Sequence, residues 1–234
     1  MGERPVPGSQ TLSRGIQILE ILADARTPMT IDDLAAHLTV HRSIAYRLLR
    51  TLEDHKLVSR DSSGIVTLGP RMATLAAGVS QDLQAKALPQ LTAAANDLGM
   101  TCFLVVLDGD ECTTLVGVEP RHAIASVAQR PGARHSIFAG APGKAILSEM
   151  DPNEWIHGAG SALSADVMAA SLAGYATSHD EVIPNVHSVA VSLRIRGQRP
   201  AAVAVVYVAA QADVAAIAAR LHIAARAIRD SFGG

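Results

Sequence analysis

The sequence predicts an α+β chain: a small N-terminal unit of three helices and a β-hairpin, a linker helix, and a larger mixed α/β domain. Three observations carry this. Between Leu12 and Leu52 apolar residues recur at helical spacing three times, then give way to two short strand-like runs around a glycine turn. Beyond Gly99 the texture changes to β-branched runs separated by turns, closed by one long helical stripe. The positive charge is local, with five Lys/Arg against two acids between His41 and Arg60 on a chain of formal net charge −2.

Residues 1–10, rich in Pro, Gly and charge, are expected to be disordered. Leu12, Ile16, Leu19 and Leu22 predict a first helix to about Ala23, and Asp24 to Met29, with Pro28, a turn. Thr30 can cap a second helix, with Asp33 three residues on to complete the reciprocal cap, and Ile31, Leu34, Ala35 and Leu38 as its inner face. A few residues later a third helix runs from about His41 to Asp54 on the stripe Ile44, Ala45, Leu48 and Leu52. Leu57–Arg60 and Ile65–Leu68, around Asp61-Ser62-Ser63-Gly64, read as a hairpin. Three helices with a short second connection, followed by a hairpin, are the plan of a winged helix-turn-helix over residues 11–70.

Residues 71–88 read as the linker helix, with Pro89 a break before the domain of residues 89–234. There Thr101–Leu107, Thr113–Val118 and Ile124–Ala128 are strand-like, and Gly143–Met150 is helical. Val189–Ile195 and Ala201–Ala209 flank the turn Arg196-Gly197-Gln198-Arg199 as a hairpin. Asp213–Ser231 is a closing helix on Val214, Ile217, Leu221, Ala225 and Ile228. This is one sheet with helices packed on it.

Hydrophobic residues make up 49% of the 234 and aromatics 3%, so Ala, Val, Leu and Ile must fill the core. No secretory signal is visible and no apolar run reaches the roughly 20 residues of a membrane span, so a cytoplasmic protein is expected, with Cys102 and Cys112 as reduced thiols. The histidines are scattered and none pairs with a cysteine at zinc spacing, so no metal or cofactor is expected.

The third helix leaves His41, Arg42, Ser43, Tyr46, Arg47 and Arg50 outside its apolar stripe, with Arg42, Tyr46 and Arg50 at i, i+4 and i+8. Arginine can grip guanine with two hydrogen bonds, and Ser, Tyr or Arg can hold phosphate. Within a helix-turn-helix frame, the N-terminal end of this helix would enter the major groove of double-stranded DNA. One such unit buries too little surface for a strong specific site. A dimer, or a dimer of dimers, on a pseudo-palindromic operator is therefore expected, with the first helix and Leu75, Val79 and Leu83 as candidate contacts.

Several spaced motifs resemble the IclR (isocitrate lyase regulator) family of bacterial transcription factors: Leu12-Ser13-Arg14-Gly15-Ile16-Gln17-Ile18-Leu19-Glu20, Arg42 to Glu53, Leu68-Gly69-Pro70-Arg71, Arg130-Pro131-Gly132, Gly143-Lys144-Ala145-Ile146-Leu147 and Gly174-Tyr175-Ala176. The likeness spans about residues 11 to 230. Thr39 and Lys56 stand where the family usually carries glycine, Ile44 replaces a threonine, and the stretch from Leu147 to Gly174 is shorter than usual. The resemblance implies a GAF/profilin-like C-terminal domain that binds a small, often acidic effector beside its sheet. Carried over by position, the cleft would hold Gly140, Ala141, Pro142, Asp180 or Glu181, Ser188, Val205 and Tyr207. Helix-start N–H groups at Gly140–Gly143 would suit an anion. Val205 and Tyr207 replace small polar residues of some members, which points to a less polar or larger ligand, such as an acid with an apolar portion; the alternative is that the two side chains, Val205 above all, simply fill the core.

Other classes fit less well. Gly140-Ala141-Pro142-Gly143-Lys144 is not a phosphate loop, which needs glycine at Phe138 and Ser or Thr at Ala145. No G-x-S-x-G or H-E-x-x-H occurs, so no enzyme is expected. The alternative is a sensor or enzyme domain whose winged helix serves protein interaction; such a module would carry apolar groups where Arg42, Tyr46, Arg47 and Arg50 stand.

Overall fold

A computed structural model describes residues 8–25, 27–78, 80–122, 127–155, 161–208 and 212–233, and the chain divides into two compact units, one up to Val79 and one from Ser80.

The first unit runs α1 (Gln10–Asp24), β1 (Met29–Thr30), α2 (Ile31–His37), α3 (Arg42–Asp54), β2 (Val58–Arg60), β3 (Ile65–Leu68) and α4 (Arg71–Ala77). Ile18, Leu34, Ala45, Leu49 and Leu52 interlock beneath Val58 and Val66. The reciprocal cap of α2 forms: the Thr30 hydroxyl accepts from the Asp33 N–H at 3.3 Å, and the Asp33 carboxylate accepts from the Thr30 N–H at 2.8 Å. The Thr30 hydroxyl and N–H hold the Asp33 carboxyl below its ordinary pKa. The wing has a third strand that the periodicity did not announce: Met29, expected in the turn, and the cap residue Thr30 pair with Val66 and Ile65, giving the order β1-β3-β2. Two residues are too few to show alternation.

Thr39 and Lys56, the residues in place of glycine, follow the C-caps of α2 and α3 with φ of +52° and +60°. The left-handed helix ends are kept without glycine, at the steric cost of a Cβ in that region. Thr39→Gly and Lys56→Gly are each expected to stabilise this unit by about 0.5–1 kcal/mol, read by thermal denaturation, with β-branched Thr39 gaining more. A drop in stability for both would mean the strain is not there. Gly69, at the wing exit, is obligatory for another reason: a Cβ there would lie 2.3 Å from the Lys56 carbonyl oxygen.

The linker differs from expectation. α4 ends at Ala77, Gly78 follows as its C-cap, and Ser80 has a left-handed φ of +46° before α5 (Gln81–Leu98) begins. A single rigid helix over 71–88 is therefore not formed. Pro89 does not break α5, because it and Ala85, whose carbonyl loses its partner, both face solvent. Leu83 is buried in the core of its own unit and is unavailable as a dimer contact, Val79 lies outside the described residues, and Leu75 is exposed.

The second unit continues with β4 (Thr101–Asp108), β5 (Glu111–Val118), β6 (Arg134–Ser136), α6 (Gly140–Leu147), α7 (Pro152–Trp155), α8 (Ser161–Ala173), β7 (Ala176–His179), β8 (His187–Leu193), β9 (Ala201–Tyr207) and α9 (Val214–Asp230). The expected strand at Ile124–Ala128 falls largely outside the described residues. The sheet is antiparallel in the order β6-β5-β4-β9-β8-β7. Both faces are covered. Cys102, Leu104, Val189, Val191, Val203 and Val205 face α5 and α9. Phe103, Val105, Ala190, Ala202, Ala204 and Val206 face α6 and α8. Burial pushes the Cys102 and Cys112 thiols up to about 12, so both stay protonated. No helix among the described residues is long and apolar enough to cross a membrane.

Candidate functional site

On α3 the division of faces is clean. Ala45, Leu48, Leu49 and Leu52 are buried, while Arg42, Ser43, Tyr46, Arg47 and Arg50 are exposed. His41 caps the helix: its Nδ1 accepts from the Ser43 N–H at 3.3 Å and lies 2.9 Å from the Ser43 hydroxyl. Arg42 meets Asp32 of α2 at 3.2 Å, with both side chains well exposed, a pair of little energetic weight. Arg47 and Arg50 have no acidic partner among the described residues. The sequence reading missed Arg60. This wing residue meets Glu53 of α3 through two contacts, at 3.2 and 3.3 Å, and its guanidinium lies 5.7 Å from the centroid of the Tyr46 ring. Wing and third helix are thereby tied together beside the exposed arginines.

In the second unit the residues carried over from the family fall into two groups. Gly140 and Pro142, at the start of α6, line a hollow of about 30 Å³ together with Ser188, Phe103, Val206 and His135. Val205 and Tyr207 point the other way. Side chains alternate along a strand, so Val206 faces α6 while Val205 and Tyr207 pack toward α5 and α9. The Tyr207 ring stacks on His187 at 5.4 Å, and His187 on His179 at 4.0 Å, so His187 is no partner of the α6 hollow. Burial raises the pKa of the Tyr207 phenol. Asp180 is also displaced: it sits in a tight loop at φ +61°, accepts from the Asn185 N–H at 2.5 Å and lies 3.3 Å from His179. Ala141 is wholly buried and contributes no surface.

The helix-start N–H groups are already engaged. Gly140 donates to the Glu181 carboxylate at 2.8 Å, and Ala141 to the Ser178 hydroxyl at 2.9 Å. Lys144, one turn into α6, is 4% exposed and lies between two carboxylates, Asp166 at 2.6 Å and Glu181 at 2.5 Å. Burial lowers the pKa of Lys144, but the hydrogen bonds and charges of Asp166 and Glu181 more than offset this, and the ammonium is held above its usual range. Glu181 therefore serves as the anion of this helix start, and Val182 follows it onto Gly140, where a Cβ would lie 2.9 Å from its methyl group. The Ser188 hydroxyl donates to the Val205 carbonyl at 2.8 Å and keeps acceptor capacity. A second, open groove of about 640 Å³ runs along the free edge strand β7, past Lys144, Glu181, Ser188, His179 and Tyr207. Among the described residues no group of three or more His, Cys, Asp or Glu could hold a metal.

Comparison with known proteins gives concordant results. Residues 11–62 match the family model for the IclR helix-turn-helix domain, and residues 75–158 that for the bacterial transcriptional regulator IclR C-terminal domain; together they cover more than half of the chain. A curated relative, the HTH-type transcriptional regulator Rv1719 of Mycobacterium tuberculosis, is 29% identical over 146 residues, 62% of this chain and 56% of the relative. The chain thus spans little more than half of that relative's length. Two solved structures share the fold at TM-score 0.83. One is an IclR transcriptional regulator from Alicyclobacillus acidocaldarius, 23% identical, over 97% of this chain and all of that one. The other is an IclR homolog from Microbacterium hydrocarbonoxydans complexed with 4-hydroxybenzoate, 24% identical, over 96% of this chain and 99% of that one.

Proposed function

Because the chain belongs to the IclR family, we propose that it is a transcriptional regulator that binds double-stranded DNA through α3 and the wing, gated by a small organic effector in the second unit. The carrying observation is the exposed row on α3, where Arg47 and Arg50 have no acidic partner among the described residues. A protein-interaction wing would present apolar groups there. Two copies would bind a pseudo-palindrome with half-sites ~34–36 Å apart. Leu12 and Ile16 of α1, 64% and 47% exposed, are the candidate contacts between them.

The test is fluorescence anisotropy with DNA from upstream of the gene, over a salt series. Arg47→Ala and Arg50→Ala are each expected to weaken binding by about 5- to 150-fold where a base contact is lost, and to flatten the salt slope by about one unit where a phosphate contact is lost. Affinity and slope unchanged in both would remove α3 as the reading helix.

For the effector we favour the hollow beside Gly140, Pro142, Ser188, Phe103 and Val206. At about 30 Å³ it admits water and little else, so a ligand enters only if the 180–186 loop yields. An acid, as the family suggests, would have to displace Glu181 from the Gly140 N–H and Lys144; the 4-hydroxybenzoate complex of the Microbacterium homolog makes that compound a suitable first probe. Such a ligand changes DNA affinity only by binding two arrangements of the protein unequally, and a coupling of ~1–3 kcal/mol corresponds to a 5- to 150-fold change. In a thermal-shift screen of aromatic and aliphatic acids beginning with 4-hydroxybenzoate, hits are expected to lose binding in Phe103→Leu and Ser188→Ala. Hits indifferent to both substitutions would place the pocket elsewhere.

A further inference from the structure

α9 carries His222, Arg226 and Arg229 at i, i+4 and i+7, on one face of the helix. Arg194 stands just beyond the end of β8. β7 pairs with β8 only from His187 to Ala190, so Val191 to Leu193 form a free edge on that side. Where this edge meets α9, the three arginines and His222 surround a hollow of about 120 Å³, with room for several waters. The buried Leu193 and Ala225 floor it, and Ser192 completes the lining.

The positive charge here is uncompensated. Arg194 and Arg226 have no acidic partner among the described residues, and Arg229 meets only its exposed neighbour Asp230, at 3.7 Å. The His222 ring and the Ser192 hydroxyl likewise have no hydrogen-bond partner among the described residues. Acids are not scarce: from Ser80 onward the chain holds fourteen Asp and Glu against eleven Lys and Arg, and its overall field repels anions. The helix dipole favours a cation in the last turn of α9, which accounts for Arg229. It does not account for Arg226 one turn earlier or for Arg194 on another element.

We propose that this hollow binds a phosphate dianion, either free or as the monoester of a small metabolite. Guanidiniums gathered around one hollow repel one another, and an anion between them relieves this. Their planar forks match the oxygens of a phosphoryl group. Several cations with one weak acid favour a dianion over a monocarboxylate. The Ser192 hydroxyl and the His222 ring supply further hydrogen bonds. The volume suits the phosphoryl head, so any carbon portion would extend into solvent. The hollow lies on the α9 side of the sheet, apart from the one at α6, and the inference does not rest on the effector reading.

The experiment is calorimetric titration of the full chain with inorganic phosphate, glycerol phosphate and acetate, each up to about 20 mM at an ionic strength held constant with chloride. Both phosphates are expected to bind. Arg194→Gln combined with Arg226→Gln should lose at least about tenfold in affinity while melting with the wild type, since both side chains are exposed. A monoester at least about tenfold tighter than inorganic phosphate would identify a phosphorylated metabolite as the ligand, and equal affinities free phosphate. Acetate binding as tightly as phosphate would overturn the dianion, and phosphate binding that survives the double substitution would overturn the site. A second measurement needs no substitution: phenylglyoxal modification of arginines, read by mass spectrometry. Phosphate should slow modification of Arg194 and Arg226 several-fold relative to chloride, and leave the exposed Arg130 unaffected. Protection by an unrelated DNA duplex but not by phosphate would make this patch a nucleic-acid contact and overturn the proposal. No binding and no protection would leave a solvated charged face and overturn it equally.

Discussion

Lys144→Met is expected to lower the stability of the second unit by about 2–3 kcal/mol, and its melting temperature by roughly 5–10 °C. Removing one partner of a buried ion pair ordinarily costs ~3–5 kcal/mol because the other charge is stranded. Here the stranded groups keep some water, Asp166 being 55% and Glu181 31% exposed, which sets the lower figure. A second substitution separates pairing from packing: Lys144→Met with Glu181→Met should recover part of the loss, since the unpaired carboxylate is then gone. The wild-type contribution should be level across neutral pH. The pKa of Lys144 is raised in the folded protein, so its stabilisation is complete below the unfolded value near 10.4 and fades only as pH climbs through the higher folded value. Calorimetry showing Lys144→Met as stable as wild type would mean the ion pair contributes nothing. Hydrogen exchange gives a further reading. Without Lys144, the Gly140 N–H is the one remaining partner of Glu181 among the described residues, so residues 180–186 and the start of α6 should lose protection.

Gly143→Ala is expected to be at least as damaging, at about 3 kcal/mol or more. A Cβ at Gly143 would lie 2.0 Å from the Ile137 carbonyl oxygen and 2.7 Å from its carbon. Neither is a side-chain tip that can rotate aside. Ile137 is itself fixed, its N–H donating to the Asp110 carbonyl at 2.8 Å. The gain of up to ~1 kcal/mol in helix propensity from Gly to Ala cannot offset a backbone collision. Gly15→Ala is the control: it lies inside α1 with nothing within 4 Å of its Cβ position, and should be neutral or stabilising. If Gly143→Ala melted with the wild type, α6 would not be seated on Ile137 as described, and the hollow at Gly140 would lose its wall.

The winged helix was legible because its information is local. Thr30 and Asp33 complete their cap within four residues, and the exposed arginines of α3 separate from Ala45, Leu48 and Leu52 through periodicity alone. Even the unusual Thr39 and Lys56 were identifiable by position, although only the structure shows that both take the left-handed conformation glycine would have taken. Where the signal is short, the reading failed. Two residues of β1 carry no alternation, and the helix ends at Gly78 and Ser80 are hidden by helix-forming neighbours on both sides.

In the second unit the sequence by itself determined that strand-like runs on either side of a helix opening near Gly143 are followed by one long closing helix, but not which way a side chain points. β9 is buried on both faces, so Ala201 to Tyr207 reads as an unbroken apolar run, and nothing in it distinguishes Val205 from Val206. A choice one residue off puts the side chain on the opposite face of the sheet. Lys144 was visible only inside a family motif and a failed phosphate-loop pattern, neither of which gives it a partner, because its partners lie 22 and 37 residues away on α8 and in the loop after β7. No local pattern joins residues so far apart. What the tertiary structure decided is therefore the polar interior of this unit: burying an ammonium requires counter-charges, and only the folded chain brings Asp166, Glu181 and the Gly140 N–H to the same place.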